Sequence, residues 1–184
     1  LNILNNGDNS YSEIQQQRQV QLVIIFLVVG FLANLIFAVI NYFYGFVLIA
    51  YSQFLFSAII LLSLIHFRIK NCYNITSNTV LIIMFFMHLS LTLMGGISNT
   101  GLYWVHIFPL AAFFLKGKRV GFIWISVLFL MMSTILLLHL LHILTLPYDT
   151  EMLSILLVSY TFTTLFVHHY EDARSSYQIQ TNRS

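Results

Sequence analysis

The chain has 184 residues, of which 59% are hydrophobic and only 8% charged, and its formal net charge is +2. Soluble domains carry about a quarter of their residues as Asp, Glu, Lys or Arg, so an ordinary water-soluble fold is excluded, and no nucleic-acid partner is expected. A single cysteine, Cys72, excludes an intrachain disulfide and a paired-thiol metal site.

The few charges are confined. None falls in 19–67, 71–115, 120–148 or 152–170, and uncharged apolar runs of that length need a bilayer as solvent. The polar opening "LNILNNGDNSYSEIQQQRQ" lacks the basic start, apolar core and cleavage site of a signal peptide. Residues 1–18 read as a cytoplasmic N-terminal segment. A helix rising ~1.5 Å per residue needs ~20 residues to cross a ~30 Å hydrocarbon core, so the run 19–67 holds two spans. They are expected at 20–40 and 46–67, parted by the turn and interfacial residues of "NYFYGF". A third span at 78–95 lies between "RIKNCYNITSN" and "GGISNTG". A short fourth at 101–115 ends at "KGKRVG". A fifth at 120–146 is stopped by Pro147, and a sixth occupies 151–169.

The connections set the orientation. Arg68 and Lys70 follow the second span, and Lys116, Lys118 and Arg119 follow the fourth. The alternate connections carry no cation, and "PYDTE" carries Asp149 and Glu151. All cations fall on one side if both termini are cytoplasmic, as short cytoplasmic loops require. The expected fold is an all-α, six-helix transmembrane bundle over 19–169, N-in and C-in, multi-pass in a bacterial inner membrane. Residues 170–184 then begin a cytoplasmic signalling helix, with Tyr170, Ala173, Tyr177 and Gln180 spaced as a weak heptad seam. A frayed polar tail is the competing reading of that segment. No internal repeat is visible, so an inverted-repeat transporter gets no support.

Seven histidines stand beside only six acids. His66, His168 and His169 lie at cytoplasmic span ends, where imidazoles commonly meet terminal carbonyls or headgroups. His88, His106, His139 and His142 fall at one depth, within ~6–12 Å of the outer boundary. An ionisable group inside a span is a functional-site hypothesis by default. His139 and His142 form an i, i+3 pair on one helical face. Imidazoles on facing helices suit haem b or a transition-metal ion, with Met84, Met87, Met131 and Met132 leaving copper open. The competing reading is hydrogen bonding across helices, with Ser90, Thr92, Ser133 and Thr134 nearby. Asn34, Gln53 and Ser57 read as interhelical hydrogen bonds. Gly95, Gly96 and Gly101 permit a tight turn. Tyr103, Trp104 and Tyr148 read as outer-belt aromatics and Trp124 as their inner counterpart. Pro109 is expected to kink the fourth span and free a carbonyl near Val105.

The pattern "GG..NTG.YW...FP..AFFL.G...G" is carried here by Gly95, Gly96, Asn99, Thr100, Gly101, Tyr103, Trp104, Phe108, Pro109, Ala112, Phe113, Phe114, Leu115, Gly117 and Gly121. It resembles the multi-span, membrane-associated sensor domains at the N-termini of bacterial diguanylate cyclases and hybrid histidine kinases. The resemblance implies a sensory input domain that feeds a coiled helix into a covalently linked cytoplasmic effector, in a homodimer surrounded by lipid. The chain itself contains no GGDEF-type motif, kinase box or phosphate-cradling glycine loop, so it is not expected to be an enzyme.

Two further functions compete with the sensor: a membrane b-type cytochrome passing electrons, and a small-molecule-binding subunit of a transporter. An electron carrier normally stacks two haems, and only the inner set His66, His168 and His169 can supply the second. The charge asymmetry yields a direct test of orientation. Single cysteines placed in "GGISNTG" react with an impermeant thiol reagent applied to intact cells, and Cys72 does not; labelling of Cys72 overturns the orientation.

Overall fold

The computed structural model describes the backbone of residues 3–70 and 72–181, and the side chains of Gln17, 20–70 and 72–173. Among these residues every regular element is helical. They are α1 (Ile3–Phe43), α2 (Val47–Lys70), α3 (Tyr73–Met94), a 3₁₀ segment (Ile97–His106), α4 (Ile107–Leu140) and α5 (Thr150–Thr181). Five stretches are long and apolar enough to cross a membrane: Val20–Phe43, Val47–Lys70, Tyr73–Met94, Ile97–Leu140 and Thr150–Ala173. Their outward faces stay apolar, with Leu62, Ile123, Leu130, Ile155 and Phe166 exposed. Contiguous apolar surface of this kind marks a protein solvated by lipid.

The fourth stretch is not a straight rod. Its backbone leaves helical geometry at Gly117, where φ is 70° and ψ is −177°, a conformation only glycine adopts without strain. The rings of His106 and Phe129 both lie beside Tyr160, with centroids at 6.5 and 6.3 Å. Along a straight helix those two residues would be more than ~30 Å apart. The chain therefore turns back at Gly117, and the arms 107–116 and 118–140 run antiparallel. Gly121 makes the closure possible. A Cβ there would stand 2.7 Å from the Ala112 carbonyl oxygen and 3.1 Å from the Phe113 Cα, so the arms touch backbone to backbone, as small residues permit in membranes.

Packing builds outward from this hairpin. α1 lies along α2, α2 against α3, and α5 against α4. The common core runs from Leu27 and Ile60 through Leu81 and Phe108 to Leu128, Leu156 and Val167. At one end of the hairpin the turn is fastened to its neighbours. The Tyr73 hydroxyl donates to the Leu115 carbonyl, Lys116 donates to the Asn74 carbonyl at 3.2 Å, and Lys118 pairs with Asp172 at 2.6 Å.

Several boundaries differ from the sequence expectation. α3 begins at Tyr73, because Ser77 donates to the Tyr73 carbonyl and its hydroxyl thereby becomes helix-compatible. Pro109 does not kink a helix. It sits in the first turn of α4, where a missing N–H removes no helical bond. The fifth span ends at Leu140 rather than at Pro147. His142 takes a left-handed φ of 56°, and the amides of Ile143 and Leu144 both reach the Leu138 carbonyl, closing the helix before the proline. α5 continues as one helix through Thr181, which carries the backbone of the expected extension; the side chain of Tyr177 lies outside the described residues, while Tyr170 and Ala173 are exposed.

The hairpin contact generates a stability prediction. Gly121→Ala forces the two arms apart and destabilises the protein by about 1–3 kcal/mol, the range for overpacking, read as a lower thermal midpoint in detergent. Gly30→Ala, whose added methyl meets only Ile60 Cδ1 at 3.9 Å, leaves the midpoint unchanged within error.

Candidate functional site

The four outer histidines have four different surroundings. His88 is 2% exposed, stands edge-on to Phe108 at 5.9 Å, and neither ring nitrogen has a hydrogen-bond partner. His106 lies where the 3₁₀ segment passes into α4, and both its nitrogens face α5: Nε2 meets Ser159 Oγ and Nδ1 meets Thr163 Oγ1, each at 3.3 Å. His139 points Nδ1 at the Leu144 carbonyl at 3.1 Å, closing the turn that ends α4. His142 is exposed and lies beyond the helix. The expected i, i+3 face of His139 and His142 is thus absent, because the left-handed residue takes His142 off the helical spiral. Hydrogen bonding to hydroxyls across helices is realised at His106, through Ser159 and Thr163 rather than through Ser90, Thr92, Ser133 or Thr134.

A bound metal or haem needs imidazole nitrogens free and converging. Among the described residues, the cluster with ligand atoms within 4.8 Å of one another is His168, His169 and Asp172, near the far end of α5. Asp172 there already pairs with Lys118, and His168 Nδ1 approaches Asp172 Oδ2 at 3.6 Å. The ring of His168 is wedged between Phe113 and Phe122, so it fastens α5 to both arms of the hairpin. The methionines do not converge either. Met84 and Met87 line a crevice beside α1, whereas Met132 accepts the Thr92 hydroxyl at 3.4 Å.

Two cavities lie close to the 3₁₀ segment. One, of about 420 Å³, is bounded by Tyr103, His106, Asp149, Glu151 and Ser159, and so opens onto the contact between His106 and α5. The other, of about 280 Å³, lies among α1, α2, α3 and the 3₁₀ segment. Its lining is apolar apart from Asn34, Asn41, Gln53, Thr100 and the Trp104 indole. Asn41 donates to Gln53 Oε1 across the α1–α2 interface at 2.8 Å and to its own Phe37 carbonyl at 2.9 Å. Asn41 was read from the sequence as part of a turn, yet it is buried inside α1. Gln53 makes the interhelical bond expected of it. Asn34 and Ser57 do not; they return their protons to their own helices at Gly30 and Gln53. Trp104 packs edge-on against Phe37 at 5.1 Å.

The turn motif that drew attention in the sequence is architectural. Gly101 leaves room for the Gly95 carbonyl, which a Cβ would meet at 2.7 Å. Asn99, at φ 57°, donates to the Pro147 carbonyl at 2.8 Å. Tyr148, read as a belt aromatic, is instead 3% exposed, and its hydroxyl proton is shared between the Leu91 and Gly95 carbonyls at 2.8 and 3.1 Å. The two Tyr148 contacts satisfy buried carbonyls that lipid could not. Sequence reasoning missed this role of Tyr148, and its one signal was the neighbouring Pro147.

A helical, lipid-solvated bundle of five long apolar stretches, the last continuing as a polar helix to Thr181, defines a multi-pass membrane domain. The family model of MASE6, a membrane-associated sensor domain family, matches residues 12–180. The chain belongs to that family. Comparison with curated proteins and with solved structures returns no match.

The unpartnered imidazole makes a prediction. A buried polar group without a partner costs about 1–3 kcal/mol, so His88→Leu leaves thermal stability unchanged or raises it. A large loss of stability shows instead that the ring holds a partner in the membrane.

Proposed function

We propose that the chain is the transmembrane input domain of a bacterial signalling receptor of the diguanylate cyclase or histidine kinase type. It crosses the bilayer six times, with both ends in the cytoplasm. The reversal at Gly117 supports the sixth crossing, since it makes two antiparallel arms of 97–140. The cations Arg68, Lys70, Lys116, Lys118 and Arg119 support the orientation.

The observation that carries this reading is the span of α5. In its first half it presents Ser159 and Thr163 to His106, and past the membrane stretch it continues as a polar helix to Thr181. A shift of the 3₁₀ segment is therefore passed to α5 through three side chains, and along α5 as a rigid rod. Lys118 and His168 tie the rod to the hairpin turn and define its resting position. Output is a small displacement of packed helices, delivered to a parallel homodimer through Tyr170, Ala173 and Tyr177. Haem or metal sensing through His88, His106, His139 and His142 gains no support from their placement, so the stimulus in this reading is a molecule held in a cavity.

Joining residues 1–184 in frame to a diguanylate cyclase catalytic domain tests the proposal. Insertion of one to four alanines after His169 makes cyclase activity vary with a period near ~3.6 residues. Disulfide crosslinks from single cysteines at 170–180 follow a period near ~3.5. Activity indifferent to the insertions, with a flat crosslinking profile, overturns signalling through this helix.

A further inference from the structure

The crevice among α1, α2, α3 and the 3₁₀ segment is lined by two asparagines whose amide oxygens have nothing to accept. Asn34 is 7% exposed and Asn41 3%, and Oδ1 of each is buried without a hydrogen-bond partner. Their orientation is fixed chemically. The Gly30 and Phe37 carbonyls can only accept, so the amide nitrogens face them and the oxygens face away. Both residues line the cavity, and they stand two helical turns apart on one face of α1, ~10.5 Å along its axis.

We propose that this crevice binds a neutral alcohol or phenol whose hydroxyl donates to Asn34 or Asn41. This rests on the sensor reading above and names the chemical class of its stimulus. Three features select the class. The unsatisfied groups are acceptors, so the ligand brings a donor. No charged residue lines the cavity, so an ammonium or carboxylate has no counter-ion there and is excluded by desolvation. The remaining walls are apolar, so the body of the ligand is hydrocarbon or aromatic. Size follows from scale: an engineered cavity of ~150 Å³ takes benzene, so about 280 Å³ holds on the order of eleven heavy atoms.

An acyl chain of a membrane phospholipid fits the apolar walls but brings no donor, and it leaves both oxygens unpaired. A hydroxyl recovers a bond that hydrocarbon cannot supply, and sites with waiting polar groups reject analogues that lack the matching one. Neither oxygen is reached by solvent, so the crevice opens as the hydroxyl enters. That opening gives the ligand a different affinity for two conformations, the requirement for shifting an equilibrium. Thr100 and Trp104 border the same crevice, and the segment that carries them ends at His106, in contact with α5.

The test uses residues 1–184 with Trp124→Phe, in nanodiscs of dioleoylphosphatidylcholine, with the fluorescence of Trp104 as reporter. 1-Decanol shifts the emission saturably. 1-Methoxynonane, of the same size but without a donor, binds at least tenfold more weakly. Asn34→Leu, which removes only a bond within α1, reduces that preference or abolishes it. In the unsubstituted chain 1-decanol raises the thermal midpoint and 1-methoxynonane does not, which keeps the proposal testable if Asn34→Leu fails to fold. Equal responses to both compounds show an apolar crevice occupied by lipid and overturn the proposal, as does no saturable response to either. No effector is needed, so binding without a response in the cyclase fusion retains the site and removes the sensor reading.

Discussion

The close contact of Gly121 with Ala112 and Phe113 governs what the rest of the chain can become. Without it the stretch 97–140 is a rod of ~65 Å, longer than any bilayer requires. With the arms laid backbone to backbone, His106 and Phe108 come level with Phe129 and Met132. α5 then finds a groove with residues of both arms on its walls, which is why Tyr160 and His168 each touch two places far apart in sequence. The long helix is thereby held to the hairpin at two levels ~12 Å apart along its axis.

A second constraint is the absence of water. A bend at the edge of the hydrocarbon exposes carbonyls and amides that lipid cannot satisfy, and the bends here are stapled by side chains. Tyr148 serves the Leu91 and Gly95 carbonyls, Asn99 the Pro147 carbonyl, Tyr73 the Leu115 carbonyl before the turn at Gly117, and Lys116 the Asn74 carbonyl of α3. Buried hydroxyls follow the same rule by bonding back to their own helices, as Ser57, Ser77, Thr92 and Thr164 do. Among the described residues the exceptions are the amide oxygens of Asn34 and Asn41, the Thr76 hydroxyl and the ring of His88. Two of these four residues, Asn34 and Asn41, border one cavity.

The polar contacts also divide the molecule by mechanical role. Contacts around 95–101 and 147–148 are backbone staples and resist change. Those at His106 are 3.3 Å side-chain contacts to hydroxyls that already have helical carbonyls to bond. A neutral imidazole has a single N–H, so one hydroxyl donates to the ring while the other accepts from it, and each has its own-helix carbonyl to return to when the contact is broken. A joint of that kind suits a surface that slides, whereas the staples suit one that does not.

The sequence by itself determined the solvent, the helical class and the polarity of the connections, because charge exclusion and hydropathy act locally and need no partner to be read. It also marked Gly95, Gly96 and Gly101 as a tight turn, which the backbone at 95–101 forms. The tertiary structure alone decided which polar groups are satisfied. Nothing in the local sequence reveals that Tyr148 is turned inward, that His106 is matched by two hydroxyls of α5, or that His142 leaves its helix while His139 caps it. Four histidines at one depth looked like one site because depth is legible in sequence. Direction around a helix, and the partner across it, depend on how neighbouring backbones approach. That approach is set by contacts between residues as distant as Leu91 and Tyr148.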